Sequence, residues 1–70
     1  MIAQVYVDVG VPHLDRPFDY AVPSGAEDQV KPGIRVKVRF NGRLLPGFVV
    51  GVAEASDQER LVEIASVVSS

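Results

Sequence analysis

Residues 34–43 constrain the fold more than any other part of this 70-residue chain. Apolar and cationic side chains alternate along it: Ile34, Val36, Val38 and Phe40 against Arg35, Lys37 and Arg39. A period of two is that of a β-strand with one buried and one exposed face. Asn41-Gly42 follows at once, and this dipeptide is the strongest short-range signal for a hairpin. The sequence therefore predicts a central β-hairpin over about 34–52, with the return strand at 44–52.

Other segments favour short strands separated by turns. Alternating β-branched residues predict a first strand at 2–9, and an aromatic-rich stretch predicts a second at 18–22. The final apolar stretch, 61–68, predicts a last strand, with a short helix as the alternative. Gly47 and Gly51 lie inside the return strand, where glycine suggests a bulge or a sharp bend. The expected fold class is mainly β, a small curled five-strand barrel or sandwich with little or no helix, and both arrangements stay open.

Length and composition restrict the chain further. Seventy residues make one domain at most, with a thin core. There is no cysteine, and His13 has no second histidine at ligand spacing, so we expect neither a disulfide nor a metal site. We expect residues 1–70 to be the N-terminal domain of a longer protein. No apolar run is long enough to span a membrane and no signal peptide is visible, so a cytoplasmic location is expected.

The distribution of charge is more informative than the net value of −2. Residues 31–43 hold five basic side chains and no acid: Lys31, Arg35, Lys37, Arg39 and Arg43. Acids predominate on both sides of this segment. The hairpin is therefore a basic island in an acidic chain, which is a feature of surfaces that bind anions.

Side chains suited to catalysis are scarce. Gly42 and Gly47 are not followed by the Lys-Ser or Lys-Thr pair of a phosphate-binding loop. A serine nucleophile would need His13 as its base, and that residue lies in a proline-flanked loop. The Glu27-Asp28 pair lies in a polar turn, where solvated surface is the simpler interpretation. We expect no catalytic residue in this chain.

Two features suggest binding, and each has an ordinary structural alternative. The cationic row Arg35, Lys37 and Arg39, continued by Arg43, suits phosphates, but it is also what the solvated face of a strand looks like. Phe18 and Tyr20 of the Phe18-Asp19-Tyr20 segment share one face of a regular strand. Both are therefore compatible with a core position that leaves Asp19 outside.

The order of several short motifs resembles a known family. They are Leu14-Asp15-Arg16-Pro17-Phe18-Asp19-Tyr20, then Pro32-Gly33-Ile34-Arg35-Val36-Lys37-Val38-Arg39-Phe40, then Gly47-Phe48-Val49-Val50-Gly51. This set is similar to the N-terminus of the PriA family of replication-restart helicases (primosomal protein N′). No single motif is specific, but the ordered set at these spacings is.

The resemblance implies a β-rich module that binds the 3′ end of a DNA strand at stalled forks, whatever its sequence. It implies a following winged-helix domain and an ATP-dependent 3′–5′ helicase core with zinc-binding cysteines. ATP and zinc would belong to those parts, so this chain alone would have no cofactor and no enzymatic activity. The implied partners are DNA, the helicase core of the same polypeptide and primosome proteins.

The same resemblance implies a pocket for the DNA end. Phe18 and Asp19 match family pocket residues. A family glycine falls at Asn41, with Gly42 one place later, and a family lysine falls near Val62. Arg43 or Arg60 is a substitute source of that charge, and Arg16 and Tyr20 are further candidates.

Elementary chemistry agrees with such a pocket. A carboxylate repels phosphates and is useful only where DNA offers a donor, as a free 3′-hydroxyl does. Asp19 would accept that hydrogen bond and reject a 3′-phosphate, while Phe18 would stack on the sugar or base. The cationic row, with Arg43, would bind the phosphates behind the end.

Two alternatives remain. The thin core, the glycine-containing return strand and the acidic flanks also suit a structural module that docks on the helicase core or on a primosome protein. A small RNA-binding barrel of the ribosomal type is the third interpretation.

Overall fold

The computed structural model describes residues 1–10, 16–54 and 61–68. Across these ranges every regular element is a strand. The five strands are β1 (Ile2–Val7), β2 (Phe18–Ala21), β3 (Arg35–Phe40), β4 (Arg43–Ala53) and β5 (Ser66–Val68). The predicted fold class, mainly β with a central hairpin, is confirmed.

The strands form one antiparallel sheet in the order β2-β1-β4-β3-β5. The sheet is not closed, but the segment 61–68 runs along both β2 and β3. The Ala21 N–H donates to the Val62 carbonyl and the Ile64 N–H donates to the Ala21 carbonyl, each at 3.0 Å. The Ala65 N–H then donates to the Lys37 carbonyl at 2.8 Å. This segment therefore links the two sides of the sheet.

Strand ends differ from the sequence prediction by more than one residue in two places. The predicted last strand, 61–68, is regular only at Ser66–Val68, because the residues before it bond first to β2 and then to β3. The first strand ends at Val7 rather than at residue 9. There the Asp8 carboxylate accepts a hydrogen bond from the Gly10 N–H at 3.1 Å, which turns the chain out of the sheet.

The turn between β3 and β4 is a two-residue hairpin, as Asn41-Gly42 predicts. Both residues have positive φ, 51° at Asn41 and 77° at Gly42. Positive φ at both central positions is the mark of a type I′ turn, whose twist matches that of the flanking strands. Phe40 and Arg43 form the pair that closes the hairpin.

The concave face of the sheet holds the core. Its buried side chains are Ala3, Val5, Val7, Tyr20, Val22, Val30, Val36, Val38, Val49 and Ile64. The β1–β4 register shifts between Gln4 and Val5, so that β4 bulges at this point. This confirms the irregularity that Gly47 and Gly51 predict in the return strand, and the bulge adds to the local twist.

Candidate nucleic-acid interface

The cationic row lies on the exposed side of β3. Arg35, Lys37 and Arg39 are exposed, and Val36 and Val38 between them are buried. Strand geometry spaces alternate residues about 7 Å apart. The hairpin has no acidic residue, so its positive charge is not neutralised from within the hairpin. Arg43, the first residue of β4, adds a further cation beside the turn.

Phe18 begins β2 and lies half-buried against the core. Its ring contacts that of Phe40 edge to face, with centroids 5.1 Å apart and an interplanar angle of 64°. The Arg16 guanidinium carbon lies 5.5 Å from the Phe18 centroid, within cation–π range. β2 and β3 are not neighbours in the sheet, so this contact also shows how strongly the sheet curls. Arg16, Phe18 and Phe40 therefore form a cluster, the Arg16–Phe18–Phe40 cluster. Phe40 directly precedes Asn41 of the hairpin turn.

Asp19 lies opposite Gln4 of β1. Gln4 alternates with the buried Ala3 and Val5, so this register puts Asp19 on the outer side of β2, away from the ring of Phe18. The direction of the main-chain N–H and C=O groups of Asp19 can also be deduced. Both main-chain groups of Ala21 bond to the segment 61–68, so those of Asp19, two residues earlier, also point away from β1.

Tyr20 belongs to the core rather than to a surface site. It is buried, and its hydroxyl donates a hydrogen bond of 2.9 Å to the main-chain carbonyl of Arg39. Burial raises the pKa of the Tyr20 phenol above its usual value. The core interpretation of Phe18 and Tyr20 therefore holds for Tyr20, and partly for Phe18.

The two departures from the family pattern differ in their structural effect. Asn41 has φ of 51°, a left-handed conformation that glycine adopts most easily. Val62 is 57% exposed and its carbonyl is bonded to Ala21 of β2, so the side chain of residue 62 lies beside that strand. Arg60 and His13 lie outside the described residues.

Sequence reasoning missed an aromatic pair on the outer face. The rings of Tyr6 and Phe48 stack across β1 and β4, with centroids 5.9 Å apart and planes inclined by 19°. Beside them lies a groove of about 350 Å³, lined by Asp8, Arg35, Pro46, Gly47 and Phe48. The outward position of Tyr6 was readable from its alternation in β1. Its partner was not, because that requires the register of two strands 40 residues apart.

These features define a class of protein. A small curled sheet that exposes a cationic strand, with aromatic rings on the same face, has the composition of a nucleic-acid-binding surface. In the parts of the chain that the structure describes, no helix is long and apolar enough to cross a membrane. Residues 4–70 match the family of the PriA 3′ DNA-binding domain (3′BD), and the chain belongs to this family. It is a binding domain for the 3′ end of DNA, which confirms the function predicted from the sequence.

Individual relatives agree with this assignment. The chain is 55% identical over 49 residues to a probable replication restart protein PriA of Mycobacterium tuberculosis, a match that covers 70% of the chain and 8% of that relative. It is 49% identical over 55 residues to the replication restart protein PriA of Bacillus subtilis, covering 79% of the chain and 7% of the relative. The match to the Mycobacterium leprae protein is 57% over 42 residues, 60% of the chain and 6% of the relative. The chain thus spans less than a tenth of the length of these curated relatives.

Proposed function

We propose that the terminal nucleotide of a DNA strand is bound at the edge of β2, with the Asp19 carboxylate accepting a hydrogen bond from the free 3′-hydroxyl. The observation that carries this proposal is the position of Asp19 on an outer strand, next to the Arg16–Phe18–Phe40 cluster. Binding would not depend on sequence, because none of these groups reads a base edge.

The position of Asp19 on an outer strand explains how one ligand would contact both Phe18 and Asp19. Phe18 and Asp19 leave the strand on opposite sides, so no pocket on a single face contains both. At an outer strand, however, a ligand that approaches along the plane of the sheet reaches both sides at once. A nucleotide seated there would meet the carboxylate on one side and the Phe18 ring on the other.

The chemistry of the two side chains assigns them different roles. Asp19 would favour a hydroxyl and disfavour a phosphate, since like charges repel and a carboxylate has no donor to offer. Phe18 would stack on the terminal sugar or base, a contact available to every base. Arg16, whose guanidinium carbon lies 5.5 Å from the centroid of that ring, would offer a cation to the phosphate behind the terminal nucleotide.

The departures from the family pattern are compatible with a working site. Asn41 keeps the backbone conformation that a glycine would supply, so a close approach of the nucleotide to the turn is not prevented by the main chain. At residue 62 a valine replaces the expected lysine, and this removes a cation beside β2. We propose that Arg43 compensates from the hairpin turn, and that Arg35, Lys37 and Arg39 bind phosphates further from the end.

The proposal extends to the longer protein. By analogy with its relatives, the chain would act in replication restart as the N-terminal domain of a DNA helicase, which would supply the ATP-binding and zinc-binding parts. Its protein partners would be that helicase core and primosome proteins, and its location would be cytoplasmic.

Matched variants test the role of Asp19. We expect Asp19→Asn to bind a single strand with a 3′-hydroxyl about tenfold more weakly than the wild type, because the hydroxyl then donates to a neutral amide oxygen instead of a charged carboxylate. Its affinity for a 3′-phosphate strand should rise, because the repulsion is gone. Asp28→Asn, which changes an exposed acid in the turn before β3, is the control for net charge.

Fluorescence anisotropy with labels at the 5′ end measures the affinities of the wild type and both variants for the two strands. If Asp19→Asn and Asp28→Asn behaved alike towards both ends, the carboxylate would have no role in end recognition. If neutralising the cationic row left DNA binding unchanged but weakened association with the rest of the protein, the docking alternative would be correct.

A further inference from the structure

The outer face of the sheet carries an aromatic pair, Tyr6 and Phe48, that the end-binding site does not use. Tyr6 pairs with Phe48 across β1 and β4, and Phe48 pairs with Arg35 across β4 and β3. Phe48 is 48% exposed although it is a large apolar side chain in the middle of a sheet. A ring left this accessible between an aromatic residue and an arginine requires an explanation beyond packing.

We propose that this part of the outer face is a second DNA site, which stacks an unpaired base on Phe48 and binds the adjoining phosphates through Arg35 and Lys37. This site shares Arg35 and Lys37 with the phosphate row proposed above, but its stacking residue, Phe48, takes no part in end binding, and Asp19 and Phe18 take no part here. Its ligand is an internal stretch of single-stranded DNA.

Charge supports a nucleic acid as the occupant. Along β3 the outward positions beside Phe48 and Pro46 are Arg35 and Lys37, both exposed. The ring therefore adjoins the most cationic strand in the chain. Aromatic rings beside cations that follow a strand are the usual composition of a single-strand binding groove.

The groove beside Phe48 indicates which part of the strand enters. Its volume is about 350 Å³, and Asp8 lines it together with Arg35 and Gly47. The Asp8 carboxylate disfavours a phosphate there but accepts a hydrogen bond from the Watson–Crick edge of an unpaired base. Since those edges are occupied in a duplex, the site should prefer single strands. Gly47 contributes only main-chain atoms to the lining.

A covalently closed circular single strand tests the proposal, because it has no end for the 3′ site to bind. We expect the wild-type chain to bind such a circle and Phe48→Ala to bind it about fivefold to a hundredfold more weakly, as loss of one stacked base requires. Phe48→Tyr should retain the wild-type affinity and Phe48→Leu should not, since leucine keeps the apolar bulk without the π-face. Val50→Ala, which truncates another exposed residue of the same strand, is the control.

The variants separate this site from the end site. Phe48→Ala should leave the ratio of affinities for 3′-hydroxyl and 3′-phosphate strands unchanged, whereas Asp19→Asn should change that ratio and not the affinity for the circle. Equal affinity of the wild type, Phe48→Ala and Phe48→Leu for the circle would overturn the proposal. An equal loss of affinity for the circle in Val50→Ala would also overturn the proposal. Truncation of any exposed β4 side chain would then weaken binding, and stacking on Phe48 would not be the cause.

Discussion

The hydroxyl of Tyr20 donates a hydrogen bond of 2.9 Å to the main-chain carbonyl of Arg39. This bond joins β2 to β3, two strands that β1 and β4 separate in the sheet. It therefore helps to hold the sheet in its curled form and sets the distance between β2 and the cationic strand β3. Tyr20, a candidate binding residue in the sequence, instead has a structural role.

Alkaline pH should weaken the fold through Tyr20. Burial raises the pKa of its phenol in the folded state, so the fold favours the neutral form. Its contribution to stability is then complete below the unfolded pKa of about 10 and is lost as the pH rises through the folded value. Urea unfolding from about pH 8 to pH 11 measures this loss of stability with rising pH.

Tyr20→Phe is the matched variant for that measurement. It should be less stable by about 1 kcal/mol at neutral pH, the net value of one hydrogen bond. The difference in the free energy of unfolding between the wild type and Tyr20→Phe should narrow as the pH rises. Parallel stability curves for the two proteins would mean that the phenol does not titrate differently on folding.

Gly47 and Gly51 of β4 should respond differently to alanine. A Cβ at Gly47 would lie 2.6 Å from the Tyr6 carbonyl oxygen and 2.9 Å from Cγ1 of Val5, and a main chain inside a sheet cannot move away cheaply. We expect Gly47→Ala to cost about 1–3 kcal/mol of folding free energy. At Gly51 the obstacle is the Gln4 side-chain oxygen, which can rotate away, so Gly51→Ala should cost less. Chemical unfolding that ranks them in the opposite order would contradict the β1–β4 geometry.

Restoring the family cation should strengthen DNA binding. The side chain of residue 62 is largely exposed beside β2, so Val62→Lys should change the free energy of unfolding by less than about 0.5 kcal/mol. One added phosphate contact should steepen the dependence of log affinity on log salt by about 0.7 for a single strand. Val62→Gln, which adds length without charge, should leave that slope unchanged. The same slope for both variants would place residue 62 away from the bound strand.

The cationic row should account for much of the salt dependence. Replacing Arg35, Lys37 and Arg39 by glutamine should reduce the slope by about 2 if each binds one phosphate. The three side chains are exposed, so the fold should persist. The matched double change of Arg35 and Arg39 to lysine, which leaves Lys37 as it is, should retain the slope. An unchanged slope in the glutamine variant would mean that the row is an ordinary solvated face.

The sequence predicted the hairpin well because its signals are local. Alternation along β3 and the Asn41-Gly42 turn each depend on neighbouring residues alone, and both are confirmed. The last strand was overestimated, because residues 62–65 bond to two strands that are distant in sequence. Tertiary pairing of this kind leaves no periodic pattern.

In the candidate site, too, the local features were predictable from the sequence and the long-range contacts were not. The row Arg35, Lys37 and Arg39 followed from period two, and the opposite orientations of Phe18 and Asp19 followed from the same rule. The Phe18–Phe40 contact and the Tyr6–Phe48 pair depend on how the sheet curls and on strand register. Neither could be obtained from spacing along the chain.

The most direct test of the account is the ratio of the wild-type affinities for two single strands that differ only in a 3′-hydroxyl or a 3′-phosphate. Anisotropy at one fixed salt concentration is sufficient, because the internal phosphates then contribute equally to the affinities of both strands. We expect the wild type to bind the hydroxyl strand at least about tenfold more tightly, through the Asp19 carboxylate. Equal affinities, or tighter binding of the phosphate strand, would contradict recognition of the 3′ end at β2.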